Sequence, residues 1–181
     1  MKKSLSTILL LLILSAGVFG VMKSSNALSS PKTESRALRE QRRAQRQAAY
    51  EHYTDSLVLS HNFSFKPFTM QGGFAAPPIN LANPNFELTI WDNAADIYLP
   101  YLRGLTPPQQ RILLNYTITQ LDGYTTEQIE QGWHISFKSN LYSTMDYTFT
   151  LEVDSRYGST TLTISNPWYD TVQYSGTLSP M

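Results

Sequence analysis

The sequence has 181 residues, enough for one domain with accessory segments. Fourteen Lys and Arg balance fourteen Asp and Glu, and cysteine is absent, which excludes disulfide frameworks, thiolate metal sites, cysteine nucleophiles and lipid attachment through an N-terminal cysteine. The balance hides unlike segments: residues 63–181 carry five bases against ten acids, a net of minus five with no basic cluster for a phosphate backbone, so no nucleic-acid partner is expected.

Residues 1–27 have the three parts of a secretory signal peptide: Lys2 and Lys3, an apolar run from Ile8 to Leu14, and small residues after it. Ser25-Asn26-Ala27 fits cleavage after Ala27, and Val18-Phe19-Gly20 offers a second site after Gly20. Export to the periplasm or the extracellular space is the expectation. The competing reading is an uncleaved inner-membrane anchor, because Leu5 to Met22 is mostly apolar and reaches the roughly 17 residues that span a bilayer. Small residues where a peptidase cuts favour cleavage, and membrane contact is expected only through this segment if it stays uncleaved.

Residues 28–61 read as a polar helical arm. Ser30 can cap a helix with Pro31 at its first position, where no amide partner is lost. From Thr33 to Leu57 there is no Gly or Pro, and Ala, Arg, Gln and Glu dominate. The apolar face is thin, with Tyr50, Tyr53 and Leu57 as its stripe, so the C-terminal half is expected to dock and the Arg-rich N-terminal half to be solvated. Arg36, Arg39, Arg42, Arg43 and Arg46 admit contact with an anionic membrane or nucleic acid as a competing reading.

Residues 62–181 change to a period of two, the pattern of half-buried strands. Phe63 and Phe65 alternate with polar neighbours, as do Phe86, Leu88 and Ile90, then Ile112, Leu114, Tyr116 and Ile118. Trp133, Ile135 and Phe137 repeat the pattern, followed by Tyr147, Phe149, Leu151 and Val153, and by Thr160, Leu162 and Ile164. One apolar and one wet face identify antiparallel sheet. Asp122-Gly123, Gln131-Gly132 and Arg156-Tyr157-Gly158 are expected turns, and Pro77-Pro78 and Pro107-Pro108 expected loops. The predicted fold is mainly β: an antiparallel sandwich or partly open barrel of about eight strands, after a signal peptide and one polar helix. Parity pairs 153 with 160, 151 with 162 and 149 with 164.

Four segments in order carry a resemblance: Asp96-Ile97-Tyr98-Leu99-Pro100-Tyr101, Gly132-Trp133-His134-Ile135-Ser136-Phe137, Tyr147-Thr148-Phe149-Thr150-Leu151 and Tyr174-Ser175-Gly176. Together they resemble the bacterial envelope family called domain of unknown function 4251, over about Phe63 to Leu178. The Tyr-Leu-Pro-Tyr element is the specific part. The resemblance implies export and a β-rich domain in a Gram-negative bacterium, and it carries no catalytic residues.

The residues assemble no reaction centre. His134, between Trp133 and Ile135, is expected on the wet face with Ser136, Glu152 and Asp154, a flat arrangement without the oxyanion donors of acyl transfer. His52 and His61 lack ligand spacing, so no metal site is expected. Asp92-Asn93-Ala94-Ala95-Asp96 lacks the calcium-loop pattern and reads as a turn between strands. Trp91, in the phase of Glu87 and Thr89, and Trp168-Tyr169, after Asn166-Pro167, are the candidate binding residues, as exposed rings that could anchor a partner.

The expectation is therefore an exported envelope protein without catalytic residues or cofactor, acting as a structural or binding module toward an envelope partner. The alternative is a β-barrel carrier of a small apolar ligand. A filled interior favours the module, and a cavity of roughly 300 Å³ or more the carrier.

Overall fold

The computed structural model describes residues 31–73, 76–103, 110–139 and 147–181, with side chains from Ser35 onward. The leader, both cleavage positions, Ser30 and Pro107-Pro108 lie outside the described residues. A single helix, α1 (Pro31–Leu59), precedes ten strands: β1 (Asn62–Gly72), β2 (Ile79–Asn80), β3 (Glu87–Trp91), β4 (Ala94–Arg103), β5 (Gln110–Ile118), β6 (Asp122–Ile129), β7 (Gly132–Lys138), β8 (Thr148–Asp154), β9 (Ser159–Asn166) and β10 (Tyr169–Pro180). Among the described residues no helix is long and apolar enough to cross a membrane.

All pairings are antiparallel, in the order β5-β4-β3-β1-β10-β9-β8-β7-β6, with β2 a short addition to β1. Laid flat, nine strands would separate β5 from β6 by roughly 38 Å. Yet residues 119–121 alone join these two strands, a link that reaches at most about 14 Å. The sheet must therefore curl until its outer strands approach, giving a partly open half-barrel and not a sandwich. β5 and β6 are two lengths of one bent run, the first pairing with β4 and the second with β7.

The curl places one row of each strand inside. Phe63, Phe65, Leu88, Ile90, Ile97, Leu99, Tyr101, Ile135, Phe137, Phe149, Leu151, Leu162, Ile164, Val172 and Tyr174 are fully buried. The register Phe149↔Ile164, Leu151↔Leu162 and Val153↔Thr160 is the one parity required. Gln131-Gly132 and Arg156-Tyr157-Gly158 do turn the chain.

Asp122-Gly123 differs from expectation. It opens β6, where Gly123 at φ 59° and a register shift before Thr125 make a bulge that follows the bend. β6 carries no apolar alternation because its inward positions, Tyr124, Thr126 and Gln128, lie at the open seam of the barrel and not in its centre. Phe86 lies just ahead of β3, half-buried and packed against the core, with its ring 5.6 Å from that of Tyr98.

α1 docks by its last turns. Thr54, Leu57 and Val58 are buried and the Tyr50 hydroxyl rests against Gly158, so the expected stripe docks through Leu57 and the end of Tyr50, while Tyr53 stays 47% exposed and the buried side is turned toward Thr54 and Val58. Polar anchors set this rotation. The Asp55 carboxylate accepts hydrogen bonds from Trp133 Nε1 at 2.7 Å and Ser155 Oγ at 2.8 Å. Gln47 Nε2 donates to the Arg156 carbonyl at 2.5 Å, and Glu51 lies 3.8 Å from the Arg156 guanidinium. Side chains from Arg36 to Arg46 are exposed.

Candidate functional site

The three aromatic candidates do not form one site. Trp91 pairs across from Asn62 at the start of β1, and it is half-buried. Trp168 and Tyr169 lie beyond Val172, which pairs with Gly72 at the far end of β1. The two locations are therefore separated by about the length of that strand, on the order of 30 Å. Trp168 is 62% exposed, in a turn where its amide N–H donates to Asn166 Oδ1 at 2.8 Å.

Around Tyr169 the fold assembles groups that are distant in sequence. Arg103 Nε donates to the Tyr169 hydroxyl at 2.8 Å, with the guanidinium 5.0 Å from the ring centroid, a cation–π geometry. Behind this rim Tyr101, a buried residue of β4, donates its hydroxyl to the Asp170 carbonyl at 3.0 Å and meets the Tyr147 ring edge-on at 5.3 Å. Tyr174, on β10, donates to the Pro100 carbonyl at 2.5 Å. Pro100 forfeits no ladder bond toward β3, because β3 begins at Glu87, opposite Tyr98. Tyr116 on β5 completes the group.

Burial pushes all four phenols up from their ordinary pKa. For Tyr174 it moves the value well above 10, and the like charges that Tyr101, Tyr116 and Tyr147 would carry add to it. Desolvation is the leading cause for Tyr101, Tyr116 and Tyr147 as well. At neutral pH these hydroxyls are therefore uncharged donors and acceptors, suited to holding polar atoms and unsuited to acting as bases.

From Tyr101 the rings continue inward as one chain of contacts. Tyr147 touches Phe149, Phe149 stacks on Phe137 at 4.9 Å and 7°, Phe137 faces Tyr124 at 6.2 Å, and Tyr124 meets His61 at 5.0 Å. His61 takes this place at φ 54°, at the junction of helix and β1. The chain of rings occupies the inner space that a carrier would keep open. The hollows lie on the surface instead: one of about 200 Å³ at the strand ends is lined by Ile129, Glu152, Asp154 and Thr161 among others, and one of about 470 Å³ lies on α1, lined by Arg42, Gln45, Arg46 and Ala49.

On the outer face the register places His134 between Glu127 and Glu152. Glu152 was visible as a neighbour from the sequence. Glu127 was not, because its strand has no apolar pattern. Among the described residues no three His, Asp or Glu side chains converge as metal ligands. Asp92 and Asn93 form the two-residue turn between β3 and β4, with Asp92 at φ 50°, while Asp96 accepts from Thr117 Oγ1 at 2.8 Å.

The tyrosine cluster was not foreseen as a group, since its members come from β4, β5, the entry to β8 and β10. Its signal lay in the quoted segments: Tyr-Leu-Pro-Tyr and Tyr-Ser-Gly each contribute members. A search of curated proteins finds no match. Among solved structures, the crystal structure of a DUF4251 family protein from Bacteroides eggerthii DSM 20697 is similar at TM-score 0.58 and 13% identity, covering 76% of this chain and 91% of that one. That likeness concerns the fold. The family model described as Domain of unknown function (DUF4251) matches residues 45–178, all but the last two residues of the half-barrel together with the docked end of its helix, and the chain belongs to that family.

Proposed function

We infer that this chain is an exported envelope protein whose half-barrel is a non-catalytic binding or structural module, with the Trp168, Tyr169 and Arg103 rim as its contact region. The observation that carries this reading is the run of packed rings from Tyr101 to His61, which fills the inner space with side chains. It weighs against the carrier alternative. The reading is also supported by the protonated phenols buried behind the rim, and by the flat His134 face, which excludes no water. Exposed Trp, Tyr and Arg side chains are over-represented among the energetic anchors of interfaces. Export rests on the leader pattern in residues 1–27.

Two measurements test the reading. N-terminal sequencing of the protein from a cell-envelope fraction is expected to begin at Leu28; full-length protein held in the inner membrane would replace export by anchoring. Capture of envelope proteins by the chain is expected to be lost in Trp168→Ala and Arg103→Ala and retained in Trp91→Ala. Turnover of an ester, glycoside or peptide substrate that disappears in His134→Ala would overturn the non-catalytic assignment.

A further inference from the structure

The arm presents a second surface, far from the aromatic rim. Arg36, Arg39, Arg42, Arg43 and Arg46 are all exposed, on the part of α1 that precedes its docked turns. At about 100° per residue these five side chains fall within one arc of about 120°. Tyr50 and Tyr53 fall within the same arc, but only Tyr53, 47% exposed, faces away from the body; the Tyr50 hydroxyl rests against Gly158 of the half-barrel. Glu40, Glu51 and Asp55 project outside it, toward the side that meets the body.

A basic row that ends in a half-exposed tyrosine matches a surface that is anionic at headgroup level and less polar beneath. We propose that this face of α1 lies on an anionic phospholipid bilayer, with the guanidinium groups paired to lipid phosphates and Tyr53 at headgroup depth. Charge selects this occupant. The body has five bases against ten acids, so an anionic surface attracts the arm and repels the half-barrel. Leu57 shares the azimuth of the arginines and is buried, so the free part of this face is the projecting stretch from Arg36 to Arg46, ahead of the docked turns. Nucleic acid fits less well: the basic surface stops at the arm, and the body offers no continuation of it. The arc holds no Leu, Ile or Phe among its exposed residues, so binding rests on charge and is reversible by salt.

The sequence has no cysteine, so a single introduced thiol reports one position. The full chain carrying Ala49→Cys, beside the arginine arc, is labelled with a fluorophore and reconstituted in vesicles. Its quenching by acrylamide is expected to fall at least about threefold when about 30 mol % phosphatidylglycerol replaces phosphatidylcholine, and to recover in about 0.5 M sodium chloride. The same label at Ala44→Cys, across the helix, is expected to stay accessible. Combined Arg39→Gln, Arg42→Gln, Arg43→Gln and Arg46→Gln is expected to abolish the protection while the melting temperature of the half-barrel stays unchanged. Equal quenching in both lipids would overturn the proposal, as would protection by an oligonucleotide in place of vesicles.

Discussion

The Tyr174 hydroxyl donates to the Pro100 carbonyl oxygen at 2.5 Å, joining two strands that are not neighbours in the sheet. Both residues belong to the sequence signatures by which the chain resembles its family, and the bond shows that these signatures act together as a brace. Tyr174→Phe keeps the ring and leaves the carbonyl of Pro100, a buried residue, without this donor. The expected cost is about 1–3 kcal/mol, read from the urea midpoint. Tyr101→Phe, which removes the bond to Asp170, is expected to cost a similar amount, and an effect on stability near zero for both would show that the brace carries no strain of the fold.

Gly176 lies next in the same signature, where β10 crosses β1. A Cβ there would overlap the Lys66 carbonyl oxygen and press on the Phe65 ring. Backbone cannot step aside as a flexible side chain does. Gly176→Ala is therefore expected to destabilise by about 1–3 kcal/mol, through overpacking and not through lost burial. Equilibrium unfolding of the variant checks this.

The phenols make stability depend on alkaline pH. Burial raises the pKa of Tyr101, Tyr116, Tyr124, Tyr147 and Tyr174 above the ordinary value of 10.0. Below pH 10 both folded and unfolded chains hold these protons, and the contribution to stability is complete. As pH rises past 10 the unfolded chain releases protons that the folded chain retains, so stability falls with pH. Urea midpoints measured across about pH 8 to 11 are expected to drop only in the upper part of that range, with phenolate absorbance appearing as the protein unfolds.

The arm and its anchor separate energetically. Deleting residues 36–46 removes exposed helix and is expected to change stability by no more than about 0.5 kcal/mol. Asp55→Ala removes the acceptor shared by Trp133 Nε1 and Ser155 Oγ, with an expected cost of about 1–3 kcal/mol. A melting temperature lowered more by the deletion than by Asp55→Ala would reverse the assignment.

Much of the barrel was legible because alternation survives wherever a strand has one dry side. Phe149, Leu151 and Val153 announced both their strand and its register with Thr160, Leu162 and Ile164. β6 was invisible for the same reason: at an open seam Tyr124, Thr126 and Gln128 need not be apolar. The docking side of α1 was legible in part: Leu57 is buried and Tyr50 reaches Gly158, but Tyr53 stays exposed, because the contacts that turn the helix are made by Gln47 and Asp55 with partners about 80 to 110 residues away, which no helical period reveals. Trp91 and Trp168 looked alike in sequence, and only the pairing of β1 with its neighbours placed them at opposite ends.

The order of strands has a consequence for how the molecule forms. β1 and β10, the first and last strands, pair at the centre of the sheet, with Phe63 opposite Pro180, whereas the outermost strands come from the middle of the chain. The runs β3-β4-β5 and β6-β7-β8-β9-β10 can each zip by local hairpins while the chain is still growing. The seam between them closes only after the final strand exists, and it does so across contacts more than a hundred residues apart, the slowest kind to find. A nascent chain that has not yet reached β10 thus consists of two ribbons without a common interior, and loss of β10 unmakes the centre of the sheet and not its margin.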